Sequence, residues 1–200
     1  MKWLGEDDLA AIYGTPQPAA MRKVADRLTA DYAGFLRASR FCVLTTVGPE
    51  GTDGSPRGDD GPVVQIIDDA HLAMPDWQGN ERIDSLRNIA RDPRVSLMFL
   101  VRGSNTVIRV NGSARLTDDT DLRQGFARQG KLPRTVIVVQ ISEVYFQCAR
   151  AVLRAGLWSG ADDSQGLAKP GQILSGMTDG EVGGADYDAT WPARAAKSMW

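Results

Sequence analysis

Short runs of β-branched and aromatic residues follow one another with little more than turn-forming residues between them, and this spacing governs what the chain can fold into. Residues 41–47 (Phe-Cys-Val-Leu-Thr-Thr-Val) end at Gly48-Pro49-Glu50-Gly51, and a second strand falls within residues 52–57. Residues 63–67 and 71–74 flank the tight turn Asp68-Asp69-Ala70. Residues 95–101 and 106–116 form a hairpin about Arg102-Gly103-Ser104-Asn105, and residues 135–147 make a long last strand. Glycine and proline mark the turns, and the runs between them have strand composition. Connections this short join antiparallel neighbours, because a parallel pair needs a crossover of about a dozen residues or more. The count is about six strands. The expected fold is mainly β (α+β): a six-stranded antiparallel barrel with peripheral helices, not a doubly wound sheet. No GxGxxG follows the first strand, which removes the dinucleotide fingerprint.

Helical periodicity appears in two places. Met21, Val24, Leu28, Tyr32, Phe35 and Leu36 recur at helical spacing and predict a helix over residues 17–38. Ile83, Leu86 and Ile89 share one face of a helix over residues 82–91, which Asp92-Pro93 ends. Asp118, Asp119 and Asp121 precede a short helix running through Arg128, and residues 149–157 read as helical. Residues 159–200 are rich in Gly, Asp and Ala, with helical pieces expected near 172–177 and 193–200. We expect one domain over residues 1–200, with an N-terminal helical segment (1–38) and a C-terminal extension (159–200).

A net charge of -2 provides no general basic footprint, so nucleic acid is not an expected partner. The longest apolar run, residues 95–101, is far short of the ~20 residues a membrane span needs. The opening Met1-Lys2-Trp3-Leu4-Gly5-Glu6-Asp7-Asp8 is too acidic for a secretion signal, and a cytoplasmic location is expected. Cys42 and Cys148 lack CxxC spacing and read as reduced core residues.

The segment richest in chemistry is Asp76-Trp77-Gln78-Gly79-Asn80-Glu81-Arg82-Ile83-Asp84-Ser85-Leu86-Arg87-Asn88. A glycine-containing loop leads into a helix whose first turn would hold Arg82 and Ser85. A helix N-terminus offers unpaired N–H groups and a partial positive charge to an anion, and Arg82 adds a planar donor fork. The alternative is that Asn80 caps the helix while Arg82 pairs with Glu81 or Asp84 in solvent. Asp84 in the same turn counts against an anion. Arg57, within Ser55-Pro56-Arg57-Gly58-Asp59, is a second basic element, or else a turn in which Arg57 and Asp59 pair. Arg150 and Arg154 share a helix face and repel one another unless an anion or solvent screens them. Trp77 and Trp158 are candidates for stacking on a ring system, or for plain packing.

Several segments occur in a telling order: Ser39-Arg40-Phe41-Cys42-Val43-Leu44-Thr45-Thr46, then Ser55-Pro56-Arg57-Gly58-Asp59, then the block from Pro75 to Asn88, then Asp92-Pro93-Arg94-Val95-Ser96-Leu97. Gly103-Ser104-Asn105-Thr106 with Arg109-Val110-Asn111-Gly112 follows, then Cys148-Ala149-Arg150-Ala151 and Leu157-Trp158. The ordered set resembles the pyridoxamine 5'-phosphate oxidase-like flavoproteins, most closely an FMN-dependent bacterial branch. The resemblance implies a split-barrel homodimer with two FMN molecules, each at the subunit interface. It implies phosphate contacts at Asn80, Arg82 and Ser85, and flavin contacts at Asn105, Thr106 and Arg109. It also implies a basic residue near the cofactor at Arg57, with Arg150, Arg154 and Trp158 closing the site from the partner chain. Its reaction would be FMN-dependent oxidation or reduction with a small-molecule electron donor or acceptor. Two departures argue against pyridoxamine phosphate as substrate. The third strand lacks the Arg and Lys that bracket it in the true oxidase, and the chain's single histidine, His71, lies far from any C-terminal Arg-x-His clamp. A non-catalytic flavin- or haem-binding protein on the same barrel is the competing expectation, and a deazaflavin in place of FMN is a third.

Overall fold

The computed structural model describes residues 1–79 and 81–200. Seven strands form one sheet: β1 (Phe41–Gly48), β2 (Gly51–Gly58), β3 (Gln65–Ile66), β4 (His71–Asp76), β5 (Arg94–Leu100), β6 (Val107–Thr117) and β7 (Thr135–Gln147). Their order is β2-β1-β5-β6-β7-β4-β3, with every neighbouring pair antiparallel. The count is seven against the expected six, since every segment read as a strand forms one; the third pairs over only two residues, and Val63 and Val64 leave the ladder and enter the core. β4 runs two residues beyond its predicted end, through Pro75. It outruns its pairing with β3 at Gln65↔Ala73, so its outer edge is free there, a setting in which a strand tolerates proline.

Alternation along the strands builds the core. Cys42 and Leu44 of β1, Leu97 and Phe99 of β5, Val110 of β6, and Ile137 and Val139 of β7 point inward and are sealed from solvent. Two helices cover this face: α3 (Ala30–Ala38) through Ala33 and Leu36, and α4 (Asp84–Arg91) through Ile89. The one buried side-chain amide here, Asn88, donates to Thr46 Oγ1 at 3.1 Å, so a strand hydroxyl meets its desolvation cost.

The helix expected over residues 17–38 is broken. Only α2 (Pro18–Arg22) and α3 form, because Ala25 exchanges two backbone hydrogen bonds with Val144 and Leu28 N–H donates to Asp69 O. Thr29 then caps α3 by accepting from Tyr32 N–H at 3.3 Å. The helix expected from Arg82 begins at Asp84. The remaining helices are α1 (Glu6–Tyr13), α5 (Thr120–Gln124), α6 (Arg150–Ala155), α7 (Pro170–Met177) and α8 (Ala185–Ser198). Cys148 lies beyond the end of β7 and is exposed, so only Cys42 fits the core reading. No helix among the described residues is long and apolar enough to cross a membrane.

The β6–β7 register slips between Asn111 and Gly112, and a Cβ on Gly112 would lie 2.0 Å from Gln140 O. A side chain there forces the two strands apart. Gly34, inside α3, has nothing within 4 Å of its would-be Cβ. Gly112→Ala is expected to lose about 1–3 kcal/mol of stability, and Gly34→Ala to gain about 0.5–1 kcal/mol. Urea midpoints at constant m-value measure both.

Candidate functional site

Among the described residues, no backbone ladder closes the sheet on itself. Its β2 end and the free edge of β4 face each other across a gap, and one ion pair spans it: Arg57 Nη1 donates to Asp76 Oδ1 at 2.7 Å. The two side chains are only 19% and 15% exposed. Arg57 therefore does not pair with Asp59 as the local sequence suggested. Beside this pair lies a cavity of about 760 Å³, walled by β2, the end of β4, the loop into α4, the start of β7 and Trp200. That volume is within the range of small-molecule and cofactor sites.

Four of the candidate residues line the cavity: Arg57, Trp77, Arg82 and Ser85. Trp77 Nε1 donates to Asp59 Oδ2 at 3.3 Å, which fixes the indole at the wall. The Asp59 side chain is only 4% exposed. Burial, and then the neighbouring Asp60, push its carboxyl above the usual carboxylate range. This group therefore favours the fold most below that ordinary range, and the contribution is lost as pH rises through the raised value.

The corner before α4 differs from the sequence expectation. Arg82 precedes the helix, because Ile83 at the N-cap is left-handed (φ 50°), as is Glu81 (φ 61°). A β-branched residue in that region is an outlier and costs roughly 1–3 kcal/mol. The two left-handed residues set Arg82 between them. Its Nε lies 2.8 Å from Asp84 Oδ2, while Arg134 Nη2 donates to Glu81 Oε1 at 2.9 Å. Ser85, in the first turn of α4, donates its hydroxyl to Asp53 Oδ2 at 2.8 Å. The acidic residues of this corner are thus matched by arginines, yet the cavity beside them is open. Asn80 lies outside the described residues.

Two donors in the cavity wall have no described partner. Arg57 Nε and Thr135 Oγ1 are buried without a hydrogen bond, although both residues line the cavity. A buried donor left unmatched costs about 1–3 kcal/mol, and because both atoms lie beneath the cavity surface an acceptor meets them only if the wall shifts. The electrostatic balance leans acidic. Asp53, Asp59, Asp76, Glu81 and Asp84 outnumber Arg57, Arg82 and Arg134 in the lining.

The other six candidates lie elsewhere. Asn105 and Thr106 sit in the β5–β6 turn, where Trp158 Nε1 donates to Ser104 O at 2.8 Å. Arg109 lies on the outer face of β6, its guanidinium 5.5 Å from the Tyr145 ring centre. Arg150 and Arg154 are exposed on α6. None of the six lines the cavity of its own chain. Sequence reasoning did not single out Asp59, Thr135, Arg134 or Trp200 for the site. Thr135 carried a faint signal, a hydroxyl residue opening the longest strand directly after Arg134. His71 bonds Asp68 at 2.9 Å through Nδ1, and neither residue lines the cavity. No cluster of His, Cys, Asp or Glu suited to a metal ion occurs among the described residues.

The family profile described as pyridoxamine 5'-phosphate oxidase matches residues 28–148. Among solved structures, the chain is similar to HupZ from Group A Streptococcus, at 15% identity over 60% of this chain and 93% of that one, with a TM-score of 0.49. It is also similar to a candidate pyridoxamine 5'-phosphate oxidase from Lactobacillus delbrueckii, at 24% identity over 60% and 95% and a TM-score of 0.48. A FAD-binding protein from Mesorhizobium loti is 17% identical over 62% and 94%, with a TM-score of 0.43. No curated protein matches the chain. The profile takes in more than half of the sequence, including all seven strands in full and all of the cavity wall but Met199 and Trp200, and on that match the chain belongs to the pyridoxamine 5'-phosphate oxidase family.

Proposed function

We propose that the cavity between β2 and β4 binds a flavin, FMN in the first instance, and that the chain is an FMN-dependent oxidoreductase acting on something other than pyridoxamine phosphate. The observation that carries this reading is a cavity large enough for the cofactor, two of whose lining residues, Arg57 and Thr135, hold a buried donor just behind the wall with no described partner. A flavin ring edge carries carbonyl and nitrogen acceptors, and Trp77 adds an aromatic surface beside them. The phosphate end belongs at the rim, where Arg82 exchanges its Asp84 partner for the ester oxygens. A groove of about 310 Å³ adjoins that rim and is lined by Arg82, Arg87 and Arg91.

A bound flavin supplies the hydride and electron chemistry. The protein's part is to hold and orient it. Arg57 and Thr135 hold donors just behind the wall, Trp77 and its anchor Asp59 fix one wall, and the apolar Met74 and Leu86 limit water. Family membership supports flavin binding, and the lone His71, outside the cavity, supports a substrate other than pyridoxamine phosphate.

The second part of the proposal is a homodimer. The outer face of an antiparallel sheet ordinarily meets water with polar residues. Here Val43, Met98, Arg109 and Tyr145 lie side by side across β1, β5, β6 and β7, with Phe41 and Leu100 in the adjoining row. Phe41 is 42% exposed and Met98 37%. A second copy packed on this face would cover the apolar row and bring Asn105, Arg109 and Trp158 of one chain toward the other.

The test is titration of the purified chain with FMN, FAD and a deazaflavin, read by flavin fluorescence. FMN is expected to bind. Thr135→Val should weaken it about twofold to tenfold, and Arg82→Ala about tenfold to a hundredfold. Stopped-flow mixing with NADH or NADPH should bleach the bound flavin. No flavin uptake by the parent overturns the reading, and uptake without reduction by any donor makes the chain a binder, not an enzyme. For the dimer, light scattering should give twice the chain mass, and Met98→Asp should give a folded monomer. A monomeric parent would remove this part of the proposal.

A further inference from the structure

Trp200 lies outside the family-matched segment, which ends at residue 148, yet it lines the cavity together with Met199. Its ring meets Trp77 edge to face, with centroids 5.3 Å apart and planes at 79°. Two contacts hold it there. Lys131 Nζ donates to the Trp200 backbone carbonyl at 2.7 Å and reaches the Lys197 carbonyl at 3.4 Å. On the opposite side, Trp77 is held by Asp59, whose carboxylate lies 3.8 Å from Arg128 Nη2. Arg128 and Lys131 are joined by two backbone hydrogen bonds, at 3.0 and 2.8 Å. One small turn thus supports both indoles: Arg128 through Asp59 to Trp77, and Lys131 directly to Trp200.

The attachment of Trp200 is slight compared with its size. α8 buries no residue of its own. It is braced on α7, where Asp188 accepts from Gly171 N–H at 2.8 Å, and its C-terminal end meets the barrel at the Lys131 and Trp77 contacts. An aromatic pair and one lysine bond make a contact weak enough to open and re-form as a ligand enters. An indole spends little conformational entropy in making a large contact, which suits it to a ligand-facing wall.

We infer that Trp200 is a ligand-binding residue of this chain, completing with Trp77 an aromatic wall that holds the planar conjugated ring of the bound molecule and slows its release. The inference rests on the flavin reading above. Lys131 is a positioning residue, acting through the Trp200 carbonyl.

The experiment is FMN titration and stopped-flow release on the parent chain and three variants. Trp200→Ala should raise the FMN dissociation constant about threefold to tenfold, mostly through faster release. Trp200→Phe should restore most of the affinity, and Lys131→Ala should fall between parent and Trp200→Ala. Circular dichroism and the urea midpoint should match the parent, since Trp200 sits outside the barrel core. The parent's tryptophan emission should be quenched by FMN more strongly than that of Trp200→Phe. A parent that binds FMN while Trp200→Ala keeps the same affinity, release rate and quenching overturns this inference and leaves the flavin reading standing. A parent that takes up no FMN overturns both.

Discussion

The Arg57–Asp76 pair is the only hydrogen bond described between β2 and β4, and the site depends on that gap. Every other strand junction is a backbone ladder. At this one place the sheet's two ends come near without pairing, and a side-chain ion pair takes the place of a row of amides. A ladder would have drawn the strands to about 4.8 Å and left no room. The ion pair closes the barrel while leaving a cavity beside it. It is largely withdrawn from water, so removing one partner strands the other; for buried pairs the loss is roughly 3–5 kcal/mol. Arg57 thus has two tasks on one guanidinium. Nη1 holds the barrel shut, and Nε is buried behind the cavity wall with no described partner.

The sheet was legible because its signals are local. Hairpin turns and period-two burial are written within a few residues of where they act, as in β1–β2 and β5–β6. What failed to show was set by contacts between distant segments. Helical periodicity over residues 17–38 is real, but Ala25 finds better backbone partners on Val144 than in a continuous helix. Arg57 has an acid two residues on, yet its partner lies nineteen residues away, because the gap between sheet ends brings Asp76 to it. Arg82 falls outside α4 because Ile83 adopts a backbone conformation that its residue type disfavours, and no pattern announces that. Trp200 has no sequence signal at all. Its place follows from the path of α8 and the reach of Lys131.

The side chains at hand provide little chemistry of their own. Burial pushes the Cys42 thiol up to about 12, so its nucleophilic form is absent at neutral pH. His71 is engaged with Asp68 away from the cavity. In the cavity itself, the perturbed carboxyl of Asp59 already accepts from Trp77 and lies near Arg128. Such a site is equipped to hold and shape a reactive group, in keeping with redox chemistry carried by a cofactor.

The charge on the walls would then decide how a cofactor bound there lies. Five carboxylates and three guanidiniums line the cavity, so a phosphate dianion placed deep inside would face net repulsion at low dielectric. An uncharged ring with acceptor atoms meets no such penalty, and the buried donors of Arg57 and Thr135 lie just behind that wall. At the rim the balance changes. The adjoining groove adds Arg87 and Arg91, while of the five carboxylates lining the cavity only Asp53 and Asp84 remain, joined by Glu50. Solvent there screens what repulsion is left. On the flavin reading, electrostatics would sort the two ends of the molecule: ring inward beside the tryptophans, phosphate outward beside the arginines of α4. Ion pairs that neutralise the corner before α4 do not forbid this arrangement. They hold Arg82 between two left-handed residues, where a bound phosphate would compete with Asp84 for its guanidinium.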